Sequence, residues 1–523
     1  MRKKYDSGNS LNQKILDGVN ILADNVAATY GPRGRNVILQ EAGKRPIVTK
    51  DGVTVAAFVD LDDPMENVGV QIIKQAAAAT NNDAGDGTTT ATILARAILN
   101  KAQRYLSAGS SPIELKRGMD AATKAITTRL EELSRPIMSQ DDILHIATIS
   151  ANGDHGIGQL IATAVDQVGK DGAITVEEAR SLKTSLEIVE GFQFDSGYFS
   201  ASFVNNERRR SIKYDDPYFL IADSKIDSVD DMMPVLEIVA RENKPLIIIA
   251  DEVEGQALAA LIVNTTRGSL KVAAVKAPMY GEERRSILKD LAIATGGTFV
   301  SRESGISMRD VKLKDLGSAK SIEVLKGHTT IVGGRGDYEH IEERIDLLKA
   351  QIENTDDLHD CENLQSRITR LASGIAIVRV GAPTEVEMIE KKHRIEDALE
   401  AVKSAQLEGI VPGGGVALLR AVHKLKVDVD NDDQRLGAEI VKAASKEPLR
   451  QMAINAGESP DIIQANVEVE GENFGFNFAT GLMEDLLEIG VIDPVKVTRS
   501  ALLNAVSVAS TLITTNHAIV QVE

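Results

Sequence analysis

The sequence predicts a multidomain, helix-rich protein whose mostly helical chain ends flank an α/β centre. The chain has 523 residues, which corresponds to about three or four domains at roughly 100–200 residues each. Aromatic residues make up only 3% and there is no tryptophan, so Ala, Val, Ile and Leu must fill the cores, and Ala and Leu favour helices. Apolar residues recur at helical spacing near both ends, whereas short apolar runs alternate with helical patterns between about 191 and 374.

Charge and composition narrow the class of protein. The formal net charge of −18 disfavours non-specific binding to nucleic acid or to anionic membranes, which both require excess Lys and Arg. The single cysteine, Cys361, excludes an intrachain disulfide framework. The basic N-terminal segment is not followed by an apolar stretch, and no apolar run is long enough to span a bilayer. We therefore expect a cytoplasmic protein that binds neither nucleic acid nor membrane.

The N-terminal part begins with a helical pattern over residues 10–29, which a Gly-Pro pair ends. Residues 36–40 and 46–49 then predict two short strands around a turn at 42–44. Such a hairpin is marginal alone and requires another sheet to join. Long helical patterns follow over residues 64–83, 88–107 and 113–134.

The centre of the chain has a different pattern. Residues 140–190 mix helices with strands, including a strand at 172–177. Strands then alternate with helices, which indicates βαβ units on a partly parallel sheet. The strands are predicted at 245–250, 272–277 and 297–301, and the helices at 229–242, 254–267 and 283–295. A charged two-helix hairpin at 338–371, a strand at 375–380 and helices at 385–407 and beyond complete the chain. This order fits one domain built from both chain ends, a second inserted in it, and a third inserted in the second.

The strongest local motif is Ala84-Gly-Asp-Gly-Thr-Thr-Thr-Ala-Thr92, in which two glycines flank one carboxylate and a helix begins at the threonines. Free N–H groups at such a helix start attract phosphate, and Asp86 would suit a Mg²⁺ that bridges phosphates. The alternative is a plain Asp-Gly turn followed by a capping threonine. There is no Walker A lysine motif, so a P-loop enzyme is excluded.

Other candidate residues carry weaker signals. Glycine-rich bends at 31–34 and 413–415 precede structured segments, and each is more simply a turn. Asp51, Asp397 and Asp493 are candidates for orienting a hydrolytic water, although each alone would be a solvated or capping residue. The eight histidines show no metal-ligand spacing.

Together these stretches resemble the GroEL-type (group I, 60-kDa) chaperonin family, from about residue 8 to 515. The matching segments are 22–24, 31–36, 49–53, 84–92, 115–118, 149–152, 271–278, 384–388, 412–417 and 493–501. The resemblance implies three domains. The all-α equatorial domain with small β elements would comprise 1–134 and 410–523, the small α+β intermediate hinge domain 135–190 and 375–409, and the α/β apical domain 191–374.

The resemblance also implies an ATPase site with Mg²⁺ and K⁺. Asp51 and Asp397 match the carboxylates that act on the attacking water. Asp86 matches the Mg²⁺ ligand, and Thr29 and Lys50 match positions near K⁺ through their backbones. The implied ATP-binding set is Thr29, Tyr30, Gly31, Pro32, Lys50, Asp86, Gly87, Thr88, Thr89, Thr90, Gly414, Asn477, Ala479 and Asp493.

The helix at 254–267 is apolar nearly all round, and the apolar face of the helix at 229–242 is wider than one stripe, so periodicity alone predicts two buried core helices. The resemblance instead implies that one face forms a groove for non-native polypeptides and for the mobile loop of a GroES-type co-chaperonin. The implied groove positions are Tyr198, Phe203, Met233, Leu236, Leu258, Ile262 and Val263. The implied assembly is a seven-subunit homo-oligomeric ring, single or double, that encloses its substrate for folding.

The sequence departs from the family pattern at several positions. Ser196 replaces an Arg that usually pairs with the carboxylate at Glu385, so we expect altered ring cooperativity. Ser202 replaces a groove Tyr, and Ser459 replaces a carboxylate of the ring–ring contact. The chain ends at Glu523 without a Gly/Met-rich tail, so we expect a barer cavity floor. A ring that holds polypeptides without turnover and a metabolic ATP-using enzyme are the competing interpretations.

Overall fold

The computed structural model describes residues 2–41, 43, 46–169, 174–179, 181–301, 304–353, 355, 357–372 and 374–522. Its helices are α1 (Gly8–Ala27), α2 (Gly52–Phe58), α3 (Pro64–Ala84), α4 (Thr88–Ser107), α5 (Pro112–Leu133), α6 (Gln140–Ser150), α7 (His155–Val168), α8 (Val229–Glu242), α9 (Gly255–Thr266), α10 (Gly281–Thr295), α11 (Tyr338–Glu353), α12 (Leu358–Ala372), α13 (Glu385–Glu408), α14 (Val416–Val422), α15 (Asp432–Ala444), α16 (Glu447–Ala456), α17 (Pro460–Val469) and α18 (Val495–Ile513).

The strands are β1 (Arg2–Ser7), β2 (Val37–Leu39), β3 (Ile47–Thr49), β4 (Ile174–Glu178), β5 (Ser185–Phe194), β6 (Ile212–Asp215), β7 (Tyr218–Ile226), β8 (Leu246–Val253), β9 (Val272–Lys276), β10 (Phe299–Val300), β11 (Gly317–Val324), β12 (Thr329–Gly334), β13 (Gly374–Val380), β14 (Ile410–Pro412), β15 (Phe474–Asn477), β16 (Leu482–Asp485), β17 (Ile492–Pro494) and β18 (His517–Val522). The predicted helix-rich class with a mixed central sheet is confirmed.

The chain forms two compact units. Residues 1–163 and 384–523 make the first, and residues 164–383 make the second. The first unit is therefore built from both chain ends, and the second is continuous. The three-domain boundaries implied by the family resemblance stay a prediction.

The core of the first unit is made of helices from both chain ends. Fully buried aliphatic side chains of α1, α3, α4, α5 and α18 form one cluster with α15, with Leu22, Ile73 and Leu94 at its centre. Helix ends are defined locally, as at α3, where Asp63 accepts hydrogen bonds from two first-turn N–H groups and Pro64 occupies the first helical position. Ala, Leu, Ile and Val thus supply the packing that the low aromatic content predicted.

Four two-stranded sheets accompany these helices. β1 pairs with β18, β2 with β3, β14 with β17 and β15 with β16, all antiparallel. The predicted hairpin is confirmed as β2 and β3, while residues 42 and 44 of its predicted turn lie outside the described residues. Its side chains Ile38 and Val48 are 70% and 58% exposed, so the hairpin presents apolar surface to solvent.

The second unit contains a ten-stranded mixed sheet. β7, β8 and β9 are parallel neighbours connected through α8 and α9, and β10 pairs with the other side of β7. Ile247, Ile248 and Ile249 of β8 are fully buried, as expected for a strand covered on both faces. The strand predicted at 172–177 begins at Ile174, and residues 172–173 lie outside the described part of the chain.

The predicted two-helix hairpin is present as α11 and α12, which a buried ion network ties to α10. Asp290 of α10 is almost completely buried and accepts hydrogen bonds from Arg344 Nε at 2.8 Å. The same carboxylate accepts from Arg367 Nε and Nη2 at 2.7 and 2.9 Å. One buried carboxylate therefore holds both helices of the hairpin.

Within the described residues, no helix is both long and apolar enough to cross a lipid bilayer.

Candidate functional site

The glycine-flanked segment forms a tight bend between α3 and α4. Gly85 has φ of 74° and closes α3, and Gly87 has φ of 89° and precedes α4. Between them, Asp86 Oδ1 accepts from the Gly87 N–H at 2.5 Å and Oδ2 accepts from Ser150 Oγ at 3.1 Å. A methyl group on Gly85 would lie 2.0 Å from Cβ of Glu400, so only glycine fits there.

The first turn of α4 offers unused hydrogen-bond donors. No side chain caps this helix start, and the buried hydroxyl of Thr88 has no hydrogen-bond partner. A buried hydroxyl without a partner is costly, and a helix N-terminus attracts anions. Thr90 Oγ1 lies 2.9 Å from the Tyr30 hydroxyl, and Thr89 Oγ1 closely approaches Gly52. The arrangement fits a phosphate group.

Asp51 is held in one orientation at the start of α2. Its carboxylate accepts from the N–H groups of Val53 and Thr54 at 3.1 and 3.0 Å and from Thr54 Oγ1 at 2.5 Å. Asp51 immediately precedes Gly52, which faces Thr89 in the first turn of α4. The bend at residues 84–88 together with this turn is the candidate phosphate loop. The sequence did not single out Thr54, although an N-cap Asp usually accepts from the backbone N–H of the residue two or three positions later.

The predicted loop at residues 29–32 lies beside the same helix start. Lys50 Nζ donates to the Gly31 carbonyl at 3.0 Å, and burial lowers the pKa of this amine. Thr29 is buried and its hydroxyl donates to the Val26 carbonyl at 2.8 Å. Asn455 Nδ2 donates to the Tyr30 carbonyl at 2.9 Å and fixes the loop on α16. Pro32 is exposed at the tip.

The residues predicted to contact a nucleoside come from three segments of the C-terminal part. β14 pairs with β17 so that Val411 lies opposite Asp493, and the bend with Gly414 follows β14. The Ala479 N–H donates to Asn477 Oδ1 at 3.0 Å. Arg33 Nη2 donates to the Ala479 carbonyl at 3.0 Å, which ties this segment to the 29–32 loop. Arg33 was not predicted as a site residue.

Carboxylates concentrate in this region. Enclosure by protein raises the pKa of Asp493 to about 7, with a further contribution from the charge of Asp86. The pKa of Asp86 is raised by burial and by Asp51, against the hydrogen bonds from Gly87 and Ser150. Burial also raises the pKa of the Tyr30 hydroxyl. A cation would relieve this repulsion, which is a physical reason to expect one at Asp86.

The described residues contain no group of three or more His, Cys, Asp or Glu side chains placed to hold a metal ion. Mg²⁺ does not require such a group, because it commonly takes one or two carboxylates and completes its shell with phosphate oxygens and water. Asp86 would be the protein ligand.

Helix α13 packs on the phosphate loop. Ser404 Oγ donates to the Ala84 carbonyl at 3.0 Å, and Glu400 faces Gly85. Asp397 lies about one turn before Glu400 on the same helix and is half-buried. Ser404 and Glu400 were missed because nothing local in a long charged helix marks the face that meets a distant loop.

The predicted groove residues lie in the second unit, on and beside the adjacent helices α8 and α9. Phe203 and Leu236 are 0% and 7% exposed and belong to the core, whereas Met233 and Val263 are 44% and 45% exposed. Tyr198, Leu258 and Ile262 are partly buried and pack against that core. Met233 and Val263 therefore contribute most of the exposed surface of the candidate groove, and Tyr198, Leu258 and Ile262 contribute less.

The fold is that of a chaperonin. It is similar to the chaperonin gp146 from the bacteriophage EL 2 (Pseudomonas aeruginosa), with a TM-score of 0.66 and 21% sequence identity over 99% of both chains. That protein was crystallised in the presence of ATP-BeFx. Residues 22–523 also match the profile of the TCP-1/cpn60 chaperonin family. The chain belongs to that family.

Proposed function

We propose that this protein is an ATP-dependent chaperonin, which captures non-native polypeptides on its apical helices and encloses them in a ring cavity for folding. ATP binding and hydrolysis would drive the cycle. The observation that carries the proposal is the convergence of Asp51, Asp86, Thr88 and Asp493 around the start of α4, with α13 packed on the same loop. The structural neighbour's crystallisation with ATP-BeFx supports nucleotide binding at such a site.

The phosphates would lie on the first turn of α4, where residues 87–90 offer N–H and hydroxyl donors. The nucleoside would contact Gly31, Pro32 and Gly414, and the segment around Asn477, Ala479 and Asp493. Mg²⁺ at Asp86 would neutralise charge on the phosphates. The backbones of Thr29 and Lys50 are the proposed K⁺ ligands.

Asp51 and Asp397 would orient the attacking water and accept its proton. Three donors fix the orientation of Asp51, so it does not have to reorganise when water enters. The position of Asp397 depends on the packing of α13 against the loop. The Ser404 hydrogen bond and the absence of a side chain at Gly85 allow this packing. Movement of α13 would therefore switch hydrolysis on and off.

The groove of α8 and α9 would bind exposed apolar segments, because hydrophobic attraction is non-directional and tolerates many sequences. Exposed Met233 supports this, since methionine adapts to differently shaped partners. A GroES-type lid would compete for the same surface.

The exposed hairpin of β2 and β3 supports ring assembly. A two-stranded hairpin with apolar side chains gains stability by joining another sheet, and the sheet of β1 and β18 also has open edges among the described strands. We infer that these two sheets pair between neighbouring subunits of a seven-subunit cytoplasmic ring, single or double.

The decisive measurement is ATP hydrolysis by the full-length protein in Mg²⁺ and K⁺, beside Asp397→Ala and the exposed control Asp428→Ala. We expect Asp397→Ala to bind ATP normally and to hydrolyse it roughly 10²-fold or more slowly, because a water-activating carboxylate is lost. Asp428→Ala should match the wild type. A wild type that binds ATP without turnover would contradict the proposal and favour a ring that only holds polypeptides.

A further inference from the structure

The second unit has a crevice where its parallel strands end. From β7 the chain continues to β8 and β9 on one side of β7 and returns to β10 on the other. The direction of winding therefore reverses between β7 and β10. In open α/β sheets, ligands bind in the crevice beyond the carboxyl ends of strands at such a reversal.

A cavity of about 420 Å³ occupies this position. Its walls come from the end of β7 at residues 223–226, from the first turn of α8 at Asp231, and from the segment after β10. The apolar wall comes mainly from the partly buried Ile306 and Met308, since Ile226 and Val300 line the cavity with little exposed surface. The volume lies within the range of roughly 300–1,000 Å³ typical of ligand sites.

The described strands leave one edge of β7 without a partner at its carboxyl end. β10 pairs with β7 only at Ile221 and Ala222, and the Ser301 N–H then donates to the Ser304 hydroxyl instead of joining the sheet. Beyond that point, β7 is paired on its other side with β8. Among the described residues, no strand covers the outer side of residues 223–226. An open edge of N–H and C=O groups is a template for another extended chain.

Charges around the crevice are compensated internally. Asp223 accepts from Arg284 Nε at 3.0 Å and Arg285 Nε at 2.7 Å. The Asp231 carboxylate accepts from Arg309 Nε at 2.7 Å. Lys225 Nζ pairs with two glutamates at 2.8 and 3.1 Å. An ionic ligand would have to break these pairs, so the crevice favours a neutral occupant that hydrogen-bonds through its own backbone.

We propose that an extended segment of a non-native polypeptide binds in this crevice as an added strand on the open edge of β7. Main-chain hydrogen bonds supply the affinity, and apolar side chains of the segment contact the partly buried Ile306 and Met308. This is a second polypeptide site, separate in chemistry from the apolar groove of α8 and α9. It rests on the proposed function, because it presupposes that the protein meets unfolded chains.

Two variants of one residue test the site in the full-length protein. Ser307 is an exposed crevice residue whose Oγ accepts from the Arg309 N–H. Ser307→Trp removes this bond and fills the crevice, whereas Ser307→Ala removes the bond and leaves the crevice open. The probes are a short fluorescent peptide of alternating valine and threonine, its backbone N-methylated form, and an amphipathic helical peptide.

We expect Ser307→Trp to raise the Kd of the extended peptide roughly tenfold or more, because the added strand loses at least two main-chain hydrogen bonds. Ser307→Ala should bind like the wild type, and the N-methylated peptide should bind weakly to every variant. Binding of the helical peptide should be unaffected by either substitution at Ser307 and should be weakened by Val263→Ser. Hydrogen exchange should show protection of residues 223–226 by the extended peptide alone.

The crevice proposal would be wrong if Ser307→Trp and the wild type bound the extended peptide equally well while Val263→Ser bound it more weakly. That result would leave the proposed chaperonin function intact. If neither peptide binds the wild type in any nucleotide state, the crevice proposal and the proposed polypeptide binding both fail.

Discussion

At the scale of single residues, the candidate nucleotide site combines enclosed carboxylates with the start of α4, where no side chain caps the N–H groups and the Thr88 hydroxyl has no hydrogen-bond partner. Burial and repulsion from a nearby carboxylate raise the pKa of Asp493 and of Asp86, so their ionised forms are disfavoured in the folded protein. Such a cost is common where binding a ligand or a metal relieves it. We therefore expect a bound cation to lower this electrostatic cost.

Replacing Asp493 with Asn should stabilise the nucleotide-free protein at alkaline pH. The carboxyl pKa rises from its usual 3.8 to about 7, so the folded state keeps a proton that the unfolded state has released, and stability falls as pH rises from about 4 to 7. Asn cannot ionise. At pH 8 the free energy of unfolding should increase by on the order of 1–3 kcal/mol, and less at pH 5.

Urea denaturation in EDTA at both pH values measures this difference. Asp428→Asn, the same change at an exposed position, should leave stability unchanged at either pH. An equal effect of the two substitutions would show that Asp493 carries no special electrostatic penalty.

At the scale of elements, the contact between α13 and the phosphate loop joins distant parts of the sequence. It depends on Gly85, whose missing side chain allows Glu400 to approach, and on the Ser404 hydrogen bond to Ala84. If α13 carries Asp397 into the site, the closeness of this contact controls the geometry of hydrolysis.

Gly85→Ala should therefore lower ATP turnover by roughly tenfold to a hundredfold, since a displacement of about 1 Å in a catalytic group has effects of that size. Gly109→Ala is the matched control. It also places alanine at positive φ after a helix, 94° against 74°, but meets no atom within 4 Å. Both variants bear backbone strain, and only Gly85→Ala pushes α13 away. Equal turnover in the two would contradict a role for this contact.

Sequence patterns predicted the elements better than the contacts between them. The glycines around Asp86 predicted the bend and the helix start, and the short apolar runs predicted the β2–β3 hairpin. Periodicity could not decide which faces of α8 and α9 are buried, because the apolar face of α8 is wider than one stripe and α9 is apolar nearly all round. The burial of Leu236 and the exposure of Met233 therefore emerge only from packing. Ser150 and Ser404 hydrogen-bond to the loop from segments that are remote in sequence. No local sequence pattern predicts such contacts.

At the scale of the whole molecule, assembly should depend on the exposed hairpin. The double variant Ile38→Ser, Val48→Ser removes apolar area that would be buried between subunits, at about 1–2 kcal/mol for each side chain. Because a ring repeats this contact at every interface, we expect dissociation into smaller species at micromolar concentration.

Native mass spectrometry and sedimentation velocity would measure the assembly. Leu182→Ser, a similar change at an exposed position of the other unit, should keep the wild-type mass. Retention of an intact ring by the double variant at every concentration would place the subunit contact elsewhere.

The discontinuous first unit has a consequence for biosynthesis. The buried cluster of that unit joins Leu11 and Ile15 to Leu502 and Leu512, and β1 is paired by β18. During translation the N-terminal helices are therefore made long before the C-terminal helices on which they pack, and their apolar faces stay exposed in the interval. Residues 164–383 form a continuous unit, which can fold earlier. The N-terminal helices of this chaperonin therefore remain open to aggregation until the C-terminal helix that covers them has been made.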